Sequence, residues 1–150
     1  MQSFKDKVAV ITGAGSGIGQ QLAINLAREN CNVVICDINQ KTLQETEEII
    51  RKYNISCTAL NLDLREEKNI NTLLETTLKN HSKVDLLFNN AGVVAPSSFL
   101  NLSENDWDWC NDINFNALVK LTRIFLPYLM KNEETALINT SSIFGIITTP

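Results

Sequence analysis

Residues 12–19 read Thr-Gly-Ala-Gly-Ser-Gly-Ile-Gly, and the glycines at 13, 17 and 19 suit one kind of chemistry, the holding of a phosphate by backbone alone. Missing side chains let amide N–H groups approach an anion, and the positive end of a following helix adds to the attraction. The spacing is GxxxGxG rather than GxGxxG, and no Lys-Ser/Thr pair follows the last glycine, so a pyrophosphate is expected and a triphosphate-binding P-loop is not. Taken alone, the turn could also be a sharp strand-to-helix corner. Asp37 lies 18 residues past Gly19 at the end of an apolar run, where a carboxylate can accept both hydroxyl hydrogens of an adenosine ribose. The same charge repels a 2'-phosphate, no Lys or Arg stands at 14–16, and Ile38 follows, so NAD is expected rather than NADP. The competing role for Asp37 is to cap the next helix. A third candidate segment, Asn89-Asn90-Ala91-Gly92, offers small residues that let a cofactor pass close to the backbone.

These residues need elements to position them. Val8–Ile11 and Val33–Cys36 are short continuous apolar runs, as in strands buried on both faces. Between them a helix from Gly17 to Asn30 carries Ile18, Leu22 and Leu26 on one stripe. Asn39 is placed to cap a second helix lined by Leu43, Thr46, Ile50 and Tyr53. A third strand, about Ser56 to Leu62, ends at Asp63, and a third helix carries Ile70, Leu73, Leu74, Thr77 and Leu78. The strand Val84 to Phe88 leads to a loop with Gly92 and Pro96. Ser103 and Asp106 resemble a capping box opening one long helix to about Met130, with Pro127 expected to kink or loosen its last turns. A fifth strand, Ala136 to Thr140, runs into Ser141-Ser142. Strands alternating with helices call for right-handed crossovers and a parallel sheet covered on both faces, a doubly wound α/β fold in strand order 3-2-1-4-5. In that order the Asn89–Gly92 turn lies beside the glycine turn across the topological switch point, where ligands bind.

Composition narrows the classes. The chain has 150 residues, 44% hydrophobic and 20% charged, with 13 Lys+Arg against 17 Asp+Glu, which suits one globular domain over residues 1–150 and excludes a disordered or repetitive chain. A net charge of -4 and a pI near 5.0 give no basic footprint for a nucleic acid or an anionic membrane surface. No apolar run approaches the length of about 18 residues that spans a bilayer, and the N-terminal one is too short for a signal peptide, so a cytoplasmic protein is expected. Cys31, Cys36, Cys57 and Cys110 contain no CxxC pair and His81 is remote from all of them, so no metal site is expected and the thiols read as small free core residues.

In order and spacing, Thr12-Gly-x-x-x-Gly-x-Gly, Asp37, Asp63-Leu64, Asn89-Asn-Ala-Gly and Asn139-Thr-Ser-Ser resemble the short-chain dehydrogenase/reductase family over nearly the whole chain. The resemblance implies a Rossmann-like fold in which Gly13, Ser16, Gly17, Ile18 and Gly19 hold the pyrophosphate of NAD, Asp37 the ribose, Asp63 and Leu64 the adenine, and Asn90 the neighbouring sugar. It implies hydride exchange between nicotinamide and a secondary alcohol or ketone, with Ser142 orienting the substrate oxygen and Asn114 holding a relay water. Asn is a poor helix former, tolerable in mid-helix where its side chain or a disturbed backbone bond holds water. The bland alternatives are an exposed helix position for Asn114, like its neighbours Asn111 and Asn116, and a strand-end hydroxyl bonding its own backbone for Ser142.

The family's Tyr-x-x-x-Lys is not found: Tyr53 is followed four residues on by Cys57, and Tyr128 by Asn132. In the family that Tyr lies beyond the Ser by a spacing that falls past Pro150, so the chain reads as an N-terminal portion, truncated relative to the family and expected to be inactive alone. The alternatives are a non-catalytic dinucleotide-binding module or degenerate paralogue, and, less in keeping with the glycine spacing, a related epimerase or dehydratase. The long helix is apolar on two faces, Asn114, Leu118, Leu121 and Phe125 on one and Phe115, Val119 and Leu126 on another. One should cover the sheet and the other meet further chain or a second subunit, so a homo-oligomer is expected for the complete protein.

Overall fold

A computed structural model describes residues 3–95 and 98–143. Five strands, β1 (Val8–Thr12), β2 (Asn32–Asp37), β3 (Cys57–Asn61), β4 (Leu86–Asn89) and β5 (Ala136–Asn139), form one parallel sheet in the order β3-β2-β1-β4-β5. Helices α1 (Gly17–Arg28) and α2 (Gln40–Ile50) cover one face, and α3 (Glu67–His81) and α5 (Leu118–Leu129) the other. The sheet is therefore doubly wound and Rossmann-like, in the strand order expected. Alternation along the strands divides the core in two. Val8, Val10, Val34 and Leu87 join Leu73, Leu121 and Phe125 on one side, while Ala9, Ile11, Val33 and Ile35 join Ala23, Ala27 and Ile50 on the other.

Several local expectations change. The core face of α1 is not the Ile18–Leu22–Leu26 stripe: Ile18 is exposed, and the buried residues are Gly19, Ala23, Ile24, Leu26 and Ala27. Gly19, Ala23 and Ala27 recur every four residues, and their small size seats the helix close to the sheet. The single long helix over 103–130 is instead three segments, α4 (Glu104–Asn111), a widened π-helical stretch (Asp112–Ala117) and α5. Pro127 does not end α5, which continues to Leu129. Arg123 and Pro127 are both on the exposed side, where a carbonyl deprived of its donor can be hydrated. The caps are as expected: Asn39 accepts from Thr42 N, and Ser103 accepts from Asp106 N while its hydroxyl donates to the Asp106 carboxylate at 2.6 Å.

At the N-terminal edge of the sheet, buried Asp85 accepts from Val8 N at 2.8 Å and pairs with Lys83 at 3.0 Å and Lys7 at 3.8 Å. That cluster ties β1 to the start of β4 at the end opposite the glycine turn. Burial pushes the Cys31, Cys36 and Cys57 thiols up to about 12, in keeping with unreactive packing residues. Among the described residues there is no His/Cys/Asp/Glu group able to hold a metal, and no helix long and apolar enough to cross a membrane.

Candidate functional site

Every candidate residue sits at the C-terminal edge of the sheet or on the helices that meet it there. The glycine turn begins at Thr12, whose buried hydroxyl accepts from Asn90 N at 2.9 Å and Ala91 N at 3.0 Å and donates to Phe88 O at 3.2 Å. Thr12 thereby joins the β1 and β4 turns across the switch point. Gly13 has φ +64, and a Cβ there would stand 2.8 Å from Ala91 Cα, so the two turns approach as only glycine permits. Gly17, at φ +54, opens α1 with free space around it. Ser16 is the extended N-cap residue and makes no side-chain capping bond, which leaves the first-turn amides of α1 available to an anion.

Gly15, absent from the sequence-based list, is the link between the turn and β2. Its amide donates to Asp37 Oδ2 at 2.9 Å, and a Cβ would lie 2.6 Å from Thr42 Oγ1 and 2.9 Å from Asp37 Cγ. The second Asp37 oxygen accepts from Asn39 N at 2.9 Å. A carboxylate has about four acceptor positions, so roughly two remain on Asp37 after these bonds. Asp37 forms no ion pair among the described residues. Asn61, also unanticipated, donates to the carbonyls of Asp37 (2.9 Å) and Ile38 (2.8 Å) and fixes the end of β2 from β3.

Gly13, Asp37, Asp63 and Leu64 come together with Ile38, Val93 and Ile113 around one cleft. Leu64 is largely in the core, 8% exposed. Asp63 accepts four times from Arg65, once from its backbone N and three times from its guanidinium, the shortest at 2.6 Å. Those bonds hold the Asp63 carboxyl below its ordinary range.

A second, open cleft brings together Asn90, Gly92, Asn114, Leu118, Thr140 and Ser142. Ala91, Gly92 and Val93 line both, so the two clefts share one wall. The side chain of Asn90 is engaged within the protein, donating to Thr12 O and Gly13 O and accepting from Thr140 Oγ1. Asn114 lies in the widened stretch, accepting from Val93 N at 2.8 Å and donating to Val93 O at 2.9 Å. Its side chain thus anchors the loop after β4, and any water held at Asn114 falls to the backbone that the widened turn disturbs. Behind this cleft Asn89, 4% exposed, donates to Thr122 Oγ1 on α5 and to Asn139 Oδ1 on β5. Ser16, Gly17, Ile18 and Gly19 line neither cleft; Gly17 and Ile18 face a depression on the outer side of α1, and Gly19 is buried against Gly13 and Asn90.

Neither tyrosine is at these clefts. Tyr53 follows α2 and its hydroxyl accepts from Arg28 Nε at 2.9 Å, and Tyr128 lies in the last turn of α5 with Lys131 over its ring at 4.6 Å. Among the described residues no Tyr or Lys lines either cleft.

The chain is 31% identical over 151 aligned residues to a CLA biosynthesis dehydrogenase/reductase of Lactiplantibacillus plantarum, covering all of this chain and 53% of that protein. It is 30% identical to the 3-oxoacyl-(acyl-carrier-protein) reductase FabG of Thermotoga maritima, over 98% of this chain and 60% of the relative. Its fold matches the crystal structure of a short-chain dehydrogenase/reductase from Burkholderia phymatum in complex with NAD, at a TM-score of 0.95 and 34% identity, covering all of this chain and 54% of that one. The chain thus spans roughly half to three-fifths of the length of these relatives. The family model described as short chain dehydrogenase matches residues 7–150, and with that extent of agreement in sequence and fold the chain belongs to the short-chain dehydrogenase family.

Proposed function

We propose that this chain forms the nucleotide-binding half of an NAD-dependent oxidoreductase that, in its complete form, interconverts a secondary alcohol and a ketone. The observation that carries the reading is the meeting, at one edge of the sheet, of an uncapped helix N-terminus, a carboxylate with acceptor positions left, and a neighbouring cleft lined by Asn114 and Ser142. The donor set fits a dinucleotide: amide N–H groups of α1 for the pyrophosphate, the two remaining acceptor positions of Asp37 for ribose hydroxyls, and the cleft beside Asp63 and Leu64 for the adenine. With the Asn90 side chain held by Thr12, Gly13 and Thr140, its backbone carbonyl is the group left for the neighbouring sugar. When bound, NAD accepts or supplies the hydride at its nicotinamide ring. Ser142 orients the substrate oxygen, and Asn114 holds the loop that forms the wall between the two clefts.

Among the described residues of the 150, no Tyr or Lys stands at the clefts to exchange the substrate proton. Weak NAD binding and no turnover are expected of them. The same observation favours a second reading, a non-catalytic dinucleotide-binding module, and robust dehydrogenase activity from this chain would remove both that reading and the expectation of inactivity. For the complete protein we propose a homo-oligomer formed through the outer stripe of the widened stretch and α5, where Phe115, Val119 and Leu126 are 64%, 44% and 43% exposed. Thermal unfolding with NAD and with NADP tests the cofactor assignment: a larger upward shift with NAD is expected, and a larger one with NADP would refute the role given to Asp37.

A further inference from the structure

Asp63 is bonded by its neighbour in an unusual way for a residue at a ligand cleft. Oδ1 accepts from Arg65 N at 3.0 Å and from Nε at 3.1 Å; Oδ2 accepts from Nε at 3.1 Å and from Nη2 at 2.6 Å. A carboxylate offers about four acceptor positions, and three N–H donors of one residue two places along the chain, the Nε–H shared between both oxygens, occupy most of them. The carboxylate is half-buried at the cleft wall while the guanidinium is 42% exposed, so the cation can leave without disturbing the core.

We propose that Arg65 gates the purine pocket: its guanidinium engages both oxygens of Asp63, and a 6-amino purine must compete with it for that carboxylate. This rests on the reading that the cleft beside Asp37 and Asp63 takes the adenosine end of a dinucleotide. A 6-amino group is a donor and needs the carboxylate free, whereas a 6-oxo group is an acceptor and is served by the guanidinium where it stands. Arg65 therefore lowers affinity for adenine nucleotides and narrows the preference for adenine over hypoxanthine. The gate is soft, because exposed ion pairs of this kind shift an equilibrium by a factor of about two to five.

Titration of the 150-residue chain with NAD and with its hypoxanthine analogue, followed by chemical shifts or calorimetry, tests the gate. Arg65→Met should bind NAD about threefold more tightly, with no gain for the hypoxanthine analogue. Arg65→Lys, which keeps the charge but not the fork, should fall between. In an Asp63→Asn background the effect of Arg65→Met should vanish, which a merely structural role for Arg65 does not predict. Unchanged or weaker NAD binding by Arg65→Met, an equal gain for both dinucleotides, or a gain that persists in Asp63→Asn overturns the gate while leaving the adenosine cleft standing. Failure of NAD to bind the unaltered chain and every variant overturns the adenosine reading itself, and the gate with it.

Discussion

The hydroxyl of Thr12 lies 2.9 Å from the amide of Asn90, and through that bond and its partner to Ala91 the end of β1 holds the turn that follows β4. Both amides face a side chain that is 1% exposed, so removing the acceptor leaves donors with no water in reach. Thr12→Val keeps the shape and loses the oxygen. It should cost about 2–6 kcal/mol, at about 1–3 kcal/mol for each of the two donors left unpaired in a buried site. Thr12→Ser, which keeps the oxygen, should cost about 1 kcal/mol for the lost methyl group. Urea denaturation of the two variants measures the difference; a loss for Thr12→Val no larger than that for Thr12→Ser would mean that the hydroxyl does not hold the turn.

Gly15 and Gly17 make a contrasting pair. A Cβ at Gly15 meets Asp37 and Thr42 below 3 Å, whereas at Gly17 it meets nothing within 4 Å but demands a φ of +54. Gly17→Ala should therefore cost about 1–2 kcal/mol of stability through backbone strain. Gly15→Ala should displace the Asp37 carboxylate and lower NAD affinity by about tenfold or more, the scale of one charge-assisted hydrogen bond. Denaturant midpoints paired with NAD titrations separate the two effects, and an NAD affinity untouched by Gly15→Ala would show that Asp37 does not depend on the turn.

The strand order, both helix caps and the placement of Asp37 were legible because each rests on local chemistry: apolar runs of strand length, Asn39 and Ser103 ahead of helices, and a carboxylate ending β2. What was not legible depends on contacts between distant segments. Gly15 looked like a spacer until Asp37, 22 residues on, claimed its amide. The inner face of α1 does not follow its large apolar residues, because close packing against the sheet selects Gly19, Ala23 and Ala27. No sequence pattern indicates that Arg65 bonds both oxygens of Asp63 or that Thr12, Gly13 and Thr140 engage the Asn90 side chain. The widening at Asp112–Ala117 had one sequence signal, the helix-averse Asn114 inside an otherwise continuous helical pattern.

His81, in the last turn of α3, has Nε2 3.2 Å from Thr58 Oγ1, and burial lowers its pKa below the ordinary 6.5. The unfolded chain then binds more protons than the folded one just below pH 6.5. Stability is full above that value and falls as the pH drops through the lowered folded pKa. Asp63, held below 3.8, titrates outside this window. Urea midpoints at pH 7.5 and pH 5.5 should fall further for the unaltered chain than for His81→Gln. Equal falls would place the acid sensitivity elsewhere.

Asn114 makes both of its side-chain bonds to Val93, so one amide ties the loop leading from β4 past the clefts to the widened stretch. Asn114→Asp retains an acceptor for Val93 N–H but sets an oxygen against Val93 O, where a donor stood at 2.9 Å. The loop should open locally, with Val93 amide exchange accelerated about tenfold and a loss of about 1–2 kcal/mol of stability, the scale of one hydrogen bond lost and one group left facing a like partner. Asn116→Asp is the control. Asn116 bonds Asp112 on the exposed side of the same stretch at 2.9 Å and has no bond to the loop, so it should leave Val93 exchange unchanged. If both variants accelerate exchange equally, the widened stretch as a whole supports the loop. If neither does, the wall between the two clefts is held by the Thr12–Ala91 bond, and the work assigned to Asn114 passes to Thr12.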